Sequence, residues 1–170
     1  VQYANAATAI ATLHALGHGL LGQEPEHAVA TALREVSVSA RLQSLGGDPA
    51  LYVDVGHNPQ AARALAQWLD ATAHGRVHAV FGALSDKDVA GVMAVLGPRI
   101  GHWHLAGLER DTPRGLPAQA LADALAATCP AARYDLHPGV AEALEAARVT
   151  ALPGELILAF GSFFVASAVL

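Results

Sequence analysis

The chain has a single cysteine, Cys129, so no internal disulfide can form and a reducing compartment is the natural setting. Aromatic residues make up only 5% of the sequence, so a core must be assembled from closely packed Ala, Val and Leu. Lys and Arg are scattered rather than clustered, and with a net charge of -5 this argues against nucleic acid as a partner. No charged segment leads into an apolar run at the start, so a secretory signal is not expected. The longest uncharged apolar run, Leu156 to Leu170, is too short to cross a bilayer and is broken by Gly161 and Ser162. It reads as a buried strand followed by a helix. No membrane association is expected, and a cytoplasmic location is.

What is present is apolar and regular. A hydrophobic content of 53% rules out disorder, and 170 residues suffice for one α/β domain with a short extra segment. Val1 opens directly in a helical pattern and Leu170 closes inside an apolar one, so both ends are expected to be cuts in a larger protein. Oligomeric state is left open.

Asn5 to Leu16 has helical spacing with Gly17 as its stop, and Glu24 to Glu35 follows with Pro25 in its first turn. Beyond Ser39 the pattern alternates. Strands are expected near Leu51 to Val55, Val77 to Ala83, His102 to Ala106, Ala132 to Asp135 and Glu155 to Phe160. Helices are expected near Pro59 to Thr72, Asp88 to Leu96, Pro117 to Ala126 and Pro138 to Val149. Such alternation predicts a mostly parallel α/β sheet with helices on both faces, preceded by a short helical segment. Ligands of such sheets bind beyond the carboxyl ends of the strands, which points to the residues just after each one.

The most informative of these edges is Leu51 to Pro59, LYVDVGHNP. Asn58 can cap the following helix and Pro59 suits its first position, so Asp54 and His57 are presented beside a helix N-terminus, a natural anion site. The second edge carries Ser85, Asp86, Lys87 and Asp88, the third Glu109, Arg110 and Arg114, and the last Gly161 and Ser162. His102 and His104 share one strand face, but no third convergent ligand is visible, so no metal site is assigned.

NAATA (Asn5 to Ala9), ARLQ (Ala40 to Gln43), DVGHNP (Asp54 to Pro59), SDKD (Ser85 to Asp88), TPRG (Thr112 to Gly115) and FGSF (Phe160 to Phe163) follow in this order. Taken together they make the chain resemble the C-terminal part of bacterial folylpolyglutamate synthases, including the bifunctional dihydrofolate synthases, within the Mur ligase superfamily. The resemblance implies that residues 1–39 are the helical tail of a central ATPase domain. It likewise implies that residues 40–170 are a Rossmann-like Mur ligase C-terminal domain.

The implied activity is ATP-dependent addition of L-glutamate to folate or dihydropteroate through an acyl phosphate. ATP and Mg²⁺ are the implied cofactors, with the metal ligands expected mainly upstream, since no G-x-x-x-x-G-K-[ST] phosphate loop occurs in the chain. The chain alone is therefore expected to be inactive. By the same resemblance Asn5, Arg41 and Asp54 contact ATP, His57 and Asp54 lie near the reacting phosphates, and Lys87 and Ser162 bind substrate. Arg41 suits phosphate because its guanidinium is a planar fork that stays charged. Each residue also has a plain structural use: Asn5 and Ser162 as helix caps, Asp54 as a turn cap, Lys87 as a solvated lysine.

Two departures from the family pattern stand out. Ser39 and Ala40 precede Arg41 where the family commonly has Pro-Gly, and Gly56 replaces an alanine, a change expected to leave the turn intact. Two other readings remain at this stage. One is a Mur-type peptidoglycan ligase domain, against which FGSF and SDKD speak; the other is a noncatalytic α/β binding module.

Overall fold

The computed structural model describes residues 3–16, 25–36, 38–73 and 75–170. Gly17 and Glu24, expected at the ends of the first two helices, lie outside the described residues. The chain divides into two units, Val1–Ser39 and Ala40–Leu170. The first holds α1 (Tyr3–Leu16) and α2 (Pro25–Glu35). Asn5 sits on α1 in its first turn, so it is a helical residue rather than the cap.

The second unit is a six-stranded sheet in the order β1-β2-β6-β3-β4-β5. Its strands are β1 (Gln43–Gly46), β2 (Ala50–Val53), β3 (Val77–Phe81), β4 (His102–Ala106), β5 (Tyr134–His137) and β6 (Leu156–Phe160). β1 pairs antiparallel with β2, and every other pairing is parallel. Two apolar layers cover the sheet. Leu65, Leu69, Met93, Leu96, Leu121 and Leu125 pack onto one face from α3 (Pro59–Thr72), α4 (Val89–Leu96) and α5 (Ala118–Thr128). Val140, Ala143, Ala147, Val165 and Ala166 cover the other from α6 (Val140–Thr150) and α7 (Phe163–Val169).

Side-chain alternation divides the strands between these layers, as the pleat requires. On β3, Val77, Ala79 and Phe81 face the first layer; on β6, Ile157 and Ala159 face the second. Three aromatics meet in the centre: Phe81, Trp103 and Phe160 are fully buried, with Phe81 edge-on to Trp103 at a centroid distance of 5.7 Å. Each large apolar side chain buried in this way contributes about 1.5–3 kcal/mol.

Both β2 and β3 send their following helices to the first face, whereas β6 between them sends α7 to the second. The chain thus diverges beyond the carboxyl end of β6. This is the crevice where an open α/β sheet accommodates a ligand. Gly161, immediately after β6, has φ +113° and passes so close to β3 that a Cβ there would lie 2.5 Å from the carbonyl oxygen of Gly82.

Candidate functional site

Asp54 follows β2 and is buried, 6% exposed. Its Oδ1 accepts the backbone N–H of Gly56 at 2.5 Å and its Oδ2 accepts that of Leu42 at 2.8 Å. The second bond, with Val55 N–H donating to the Ala40 carbonyl at 2.9 Å, straps residues 40–42 along the end of β2. Ala40 and Leu42 both adopt left-handed backbone, φ 55° and 50°, and Arg41 stands exposed between them. Each such residue stores on the order of 1 kcal/mol, which the hydrogen bonds to Asp54 and Val55 offset. Ala40, at the position where the resembled family commonly has glycine, takes this left-handed backbone with a side chain present.

Burial raises the Asp54 carboxyl above its usual value, and the Gly56 and Leu42 amides, then the Arg41 and His57 charges, oppose that rise. Arg41 and His57 therefore act on one carboxylate. His57 does not bond to Asp54; its Nδ1 lies 2.9 Å from the Val55 carbonyl, so Nδ1 carries the proton and donates. Asn58 Oδ1 accepts the Ala61 N–H at 2.9 Å and Pro59 opens α3, so the helix start has its expected cap. Gly56 leaves less latitude than its replacement of an alanine implies: an added Cβ would fall 2.7 Å from Asp54 Oδ1.

The loop after β3 meets the loop after β4. Ser85 N–H donates to the Arg114 carbonyl at 2.8 Å, and Leu84 bridges Gly115. Lys87, half-buried, reaches Asp86 Oδ2 at 2.7 Å, and Arg114 stands 3.8 Å from the other oxygen of Asp86. Asp88 caps α4 by accepting from Gly91 N–H at 2.9 Å. A Cβ on Gly91 would lie 2.8 Å from Pro59, which places the starts of α3 and α4 side by side. Ser162, 3% exposed, caps α7 with Oγ accepting from Val165 N–H at 3.1 Å.

Asp54, His57, Lys87 and Ser162 thus follow β2, β3 and β6 on the carboxyl edge of the sheet, with Arg41 strapped to the same edge. Asn5 lies in the other unit. The strap itself was not foreseen, because its bonds run from backbone amides to a carboxylate twelve residues away. The ARLQ motif was its only sequence signal.

Residues 40–163 match the family model described as Mur ligase, glutamate ligase domain. The dihydrofolate synthase/folylpolyglutamate synthase of Escherichia coli K12 is 35% identical over 164 residues, covering 96% of this chain and 36% of that protein. The protein of the same name from Mycobacterium tuberculosis is 34% identical, over 71% of this chain and 25% of its own length. Among solved structures, E. coli FolC in complex with DHPP and ADP superposes with a TM-score of 0.83 at 35% identity, over 97% of this chain and 37% of that one. A bifunctional folylpolyglutamate synthase/dihydrofolate synthase with Mn, AMPPNP and L-glutamate bound gives 0.82 at 38% identity, over 99% and 39%. The chain spans about a third of the length of the curated relatives it matches.

Proposed function

The chain belongs to the Mur ligase family through its glutamate ligase domain, and from that premise we propose that it is the C-terminal part of an ATP-dependent ligase adding L-glutamate to folate or dihydropteroate. Residues 1–39 are the helical tail of a central ATPase domain in this reading, and 40–170 the Rossmann-like C-terminal domain. The protein acts in the cytoplasm. The observation that carries the reading is the strap holding Arg41 beside Asp54 at the divergent edge of the sheet.

The reaction has two steps. A carboxylate of the pteroyl substrate attacks the γ-phosphorus of ATP, the bond to ADP breaks, and an acyl phosphate forms. The amine of L-glutamate then attacks the acyl carbon, inorganic phosphate leaves, the amine loses a proton, and an amide remains. Positioning and charge neutralisation dominate such chemistry. Arg41 supplies a fixed positive fork to the phosphates, and Asp54 holds the strap that aims it. His57, with Nδ1 committed to Val55, leaves Nε2 to meet a phosphate oxygen when protonated. Lys87, in its cluster with Asp86 and Arg114, and Ser162, whose hydroxyl proton remains to be donated, receive the glutamate. Asn5 is assigned an ATP contact by the same family correspondence.

Mg²⁺ accompanies ATP and offsets the phosphate charge when bound. The described residues of this edge do not fit it as ligands. Asp54 is committed to two amides, Asp86 to Lys87, and Asp88 to α4. The metal ligands belong to the upstream domain, and the chain alone is inactive.

The test is a ligation assay on the longer polypeptide carrying this chain. Release of ADP should require both L-glutamate and a folate or dihydropteroate substrate. Turnover that is indifferent to glutamate would sink the reading. The Mur-type alternative predicts instead a dependence on a nucleotide-linked peptidoglycan precursor.

A further inference from the structure

A second group of chemically capable side chains lies on the other end of the sheet, independent of the ligase reading. β4 and β5 run parallel with His104 opposite Asp135 in register. His102 and His104, two residues apart, share the face covered by α6. The third convergent ligand that the sequence did not reveal comes from β5. His102, His104 and Asp135 each offer one donor atom, and these three atoms lie within 4.8 Å of one another. His102 Nε2 is already 2.8 Å from Asp135 Oδ2.

The proton positions around His104 follow from its neighbours. Glu155 only accepts, so His78 Nε2, 3.0 Å away, carries a proton and donates to it. His78 is fully buried, so with Nε2 protonated its Nδ1 is the accepting nitrogen. The partner of that Nδ1 is His104 Nε2 at 3.3 Å, which therefore donates. His104 is likewise fully buried, so with its proton on Nε2 the Nδ1 is left as a lone pair. That Nδ1 is buried and has no hydrogen-bond partner among the described residues. A fully buried acceptor without a donor is destabilising, because it has given up its bond to water. A cation removes that cost.

We infer that His102, His104 and Asp135 bind a borderline divalent transition-metal ion of the Zn²⁺ class, tying edge strand β5 to β4. Two imidazoles and one carboxylate form a donor set suited to such ions and poorly suited to Mg²⁺ or Ca²⁺. Metal–donor distances of about 2.0–2.2 Å set donor separations of roughly 3.3–3.6 Å, so the wider gaps close and the 2.8 Å His102–Asp135 pair opens, shifts within reach of side-chain rotation. The relay Glu155–His78–His104 orients one ligand from behind, as carboxylate and histidine partners do at metal centres. Asp135 also lines a surface hollow with Glu142 and Glu145 of α6, whose charge favours a cation.

The test uses the full chain titrated with Co²⁺, read by its visible absorption, and with Zn²⁺, read by calorimetry and by the thermal midpoint. One equivalent should bind with the spectrum of a four-coordinate site, and Zn²⁺ should raise the midpoint. Asp135→Asn and His102→Gln remove partly exposed ligands and keep the fold, checked by circular dichroism. Each should weaken binding at least tenfold and abolish the shift. Glu155→Gln, which touches no metal, should weaken binding by roughly 10-fold if the relay orients His104. No saturable one-to-one binding, or binding unchanged in Asp135→Asn and His102→Gln, overturns the site. Failure here leaves the ligation assay untouched, and the converse holds.

Discussion

The carboxylate of Asp54 accepts the backbone N–H of Leu42 at 2.8 Å and so fixes the position of the residue between Leu42 and Ala40, which is Arg41. A buried acid at the end of β2 thereby sets the place of an exposed cation in a linker. Of the three residues suggested for ATP, Arg41 and Asp54 do different work. Asp54 builds the strap, and Arg41 presents the charge.

Replacing Arg41 by Ala in the longer polypeptide should leave the fold intact, because the guanidinium is exposed. A charge-assisted contact is worth about 1.5–3 kcal/mol, so the Kd for ATP should rise by roughly 10–100-fold. Calorimetric titration of ATP measures it. Unchanged nucleotide affinity would remove Arg41 from the site.

Asp54→Ala orphans the Leu42 and Gly56 amides, at roughly 1–3 kcal/mol each. Its effect on ATP should resemble that of Arg41→Ala while stability also falls, which separates the two roles. Urea unfolding alongside ATP titration reads both. An Asp54→Ala variant as stable as the parent would show that the strap does not depend on this carboxylate.

Asp54 also predicts a pH dependence. Its carboxyl is raised above 3.8 in the folded protein, so between 3.8 and the folded value the native state binds more proton than the unfolded one. The contribution of this group is fully present below 3.8 and is lost as pH rises through the folded value. Asp54→Asn lacks the titration. The stability difference between parent and variant should therefore drift against the parent as pH is raised from 3.8, measured by urea unfolding across that range. A drift of opposite sign would mean that the amides and Arg41 outweigh burial.

Gly161→Ala should be among the costliest small changes on this edge. The residue has φ +113°, and the new Cβ would meet the Gly82 carbonyl at 2.5 Å and the Phe81 ring at 2.7 Å. Left-handed strain alone costs on the order of 1–3 kcal/mol, and the contacts add to it. A thermal melt showing no loss would contradict the close approach of β3 and β6.

Ser162→Ala removes the cap of α7, worth about 1 kcal/mol. If its hydroxyl also meets glutamate, KM for glutamate should rise more than KM for ATP. A fall in thermal midpoint with both constants moved equally would leave Ser162 as a cap only.

The parts legible in the sequence were those whose cause is local. α3 runs from Pro59 to Thr72 and β4 from His102 to Ala106, as the spacing implied, because an Asn-Pro start and a two-residue alternation of His with Trp and Leu are short-range signals. β5 lies at Tyr134–His137, two residues beyond its expected place at Ala132 to Asp135. It is an exposed edge strand whose register is set by pairing with β4 rather than by its own pattern. β1 escaped notice altogether: QSLG has no β-branched residue, and only the antiparallel pairing to β2 makes it a strand.

The order of turns, caps and apolar stripes was sufficient to determine an α/β sheet of mostly parallel strands and the edge on which polar residues collect. Periodicity and capping act between near neighbours, and the sequence displays neighbours. Tertiary structure alone decided the distant partners of two acids. Asp54 turns its second oxygen to the amide of Leu42, twelve residues earlier, and Asp135 turns to a histidine thirty-three residues earlier. Those pairings depend on which strands lie side by side, and strand order follows from packing of the whole sheet rather than from any local run of residues.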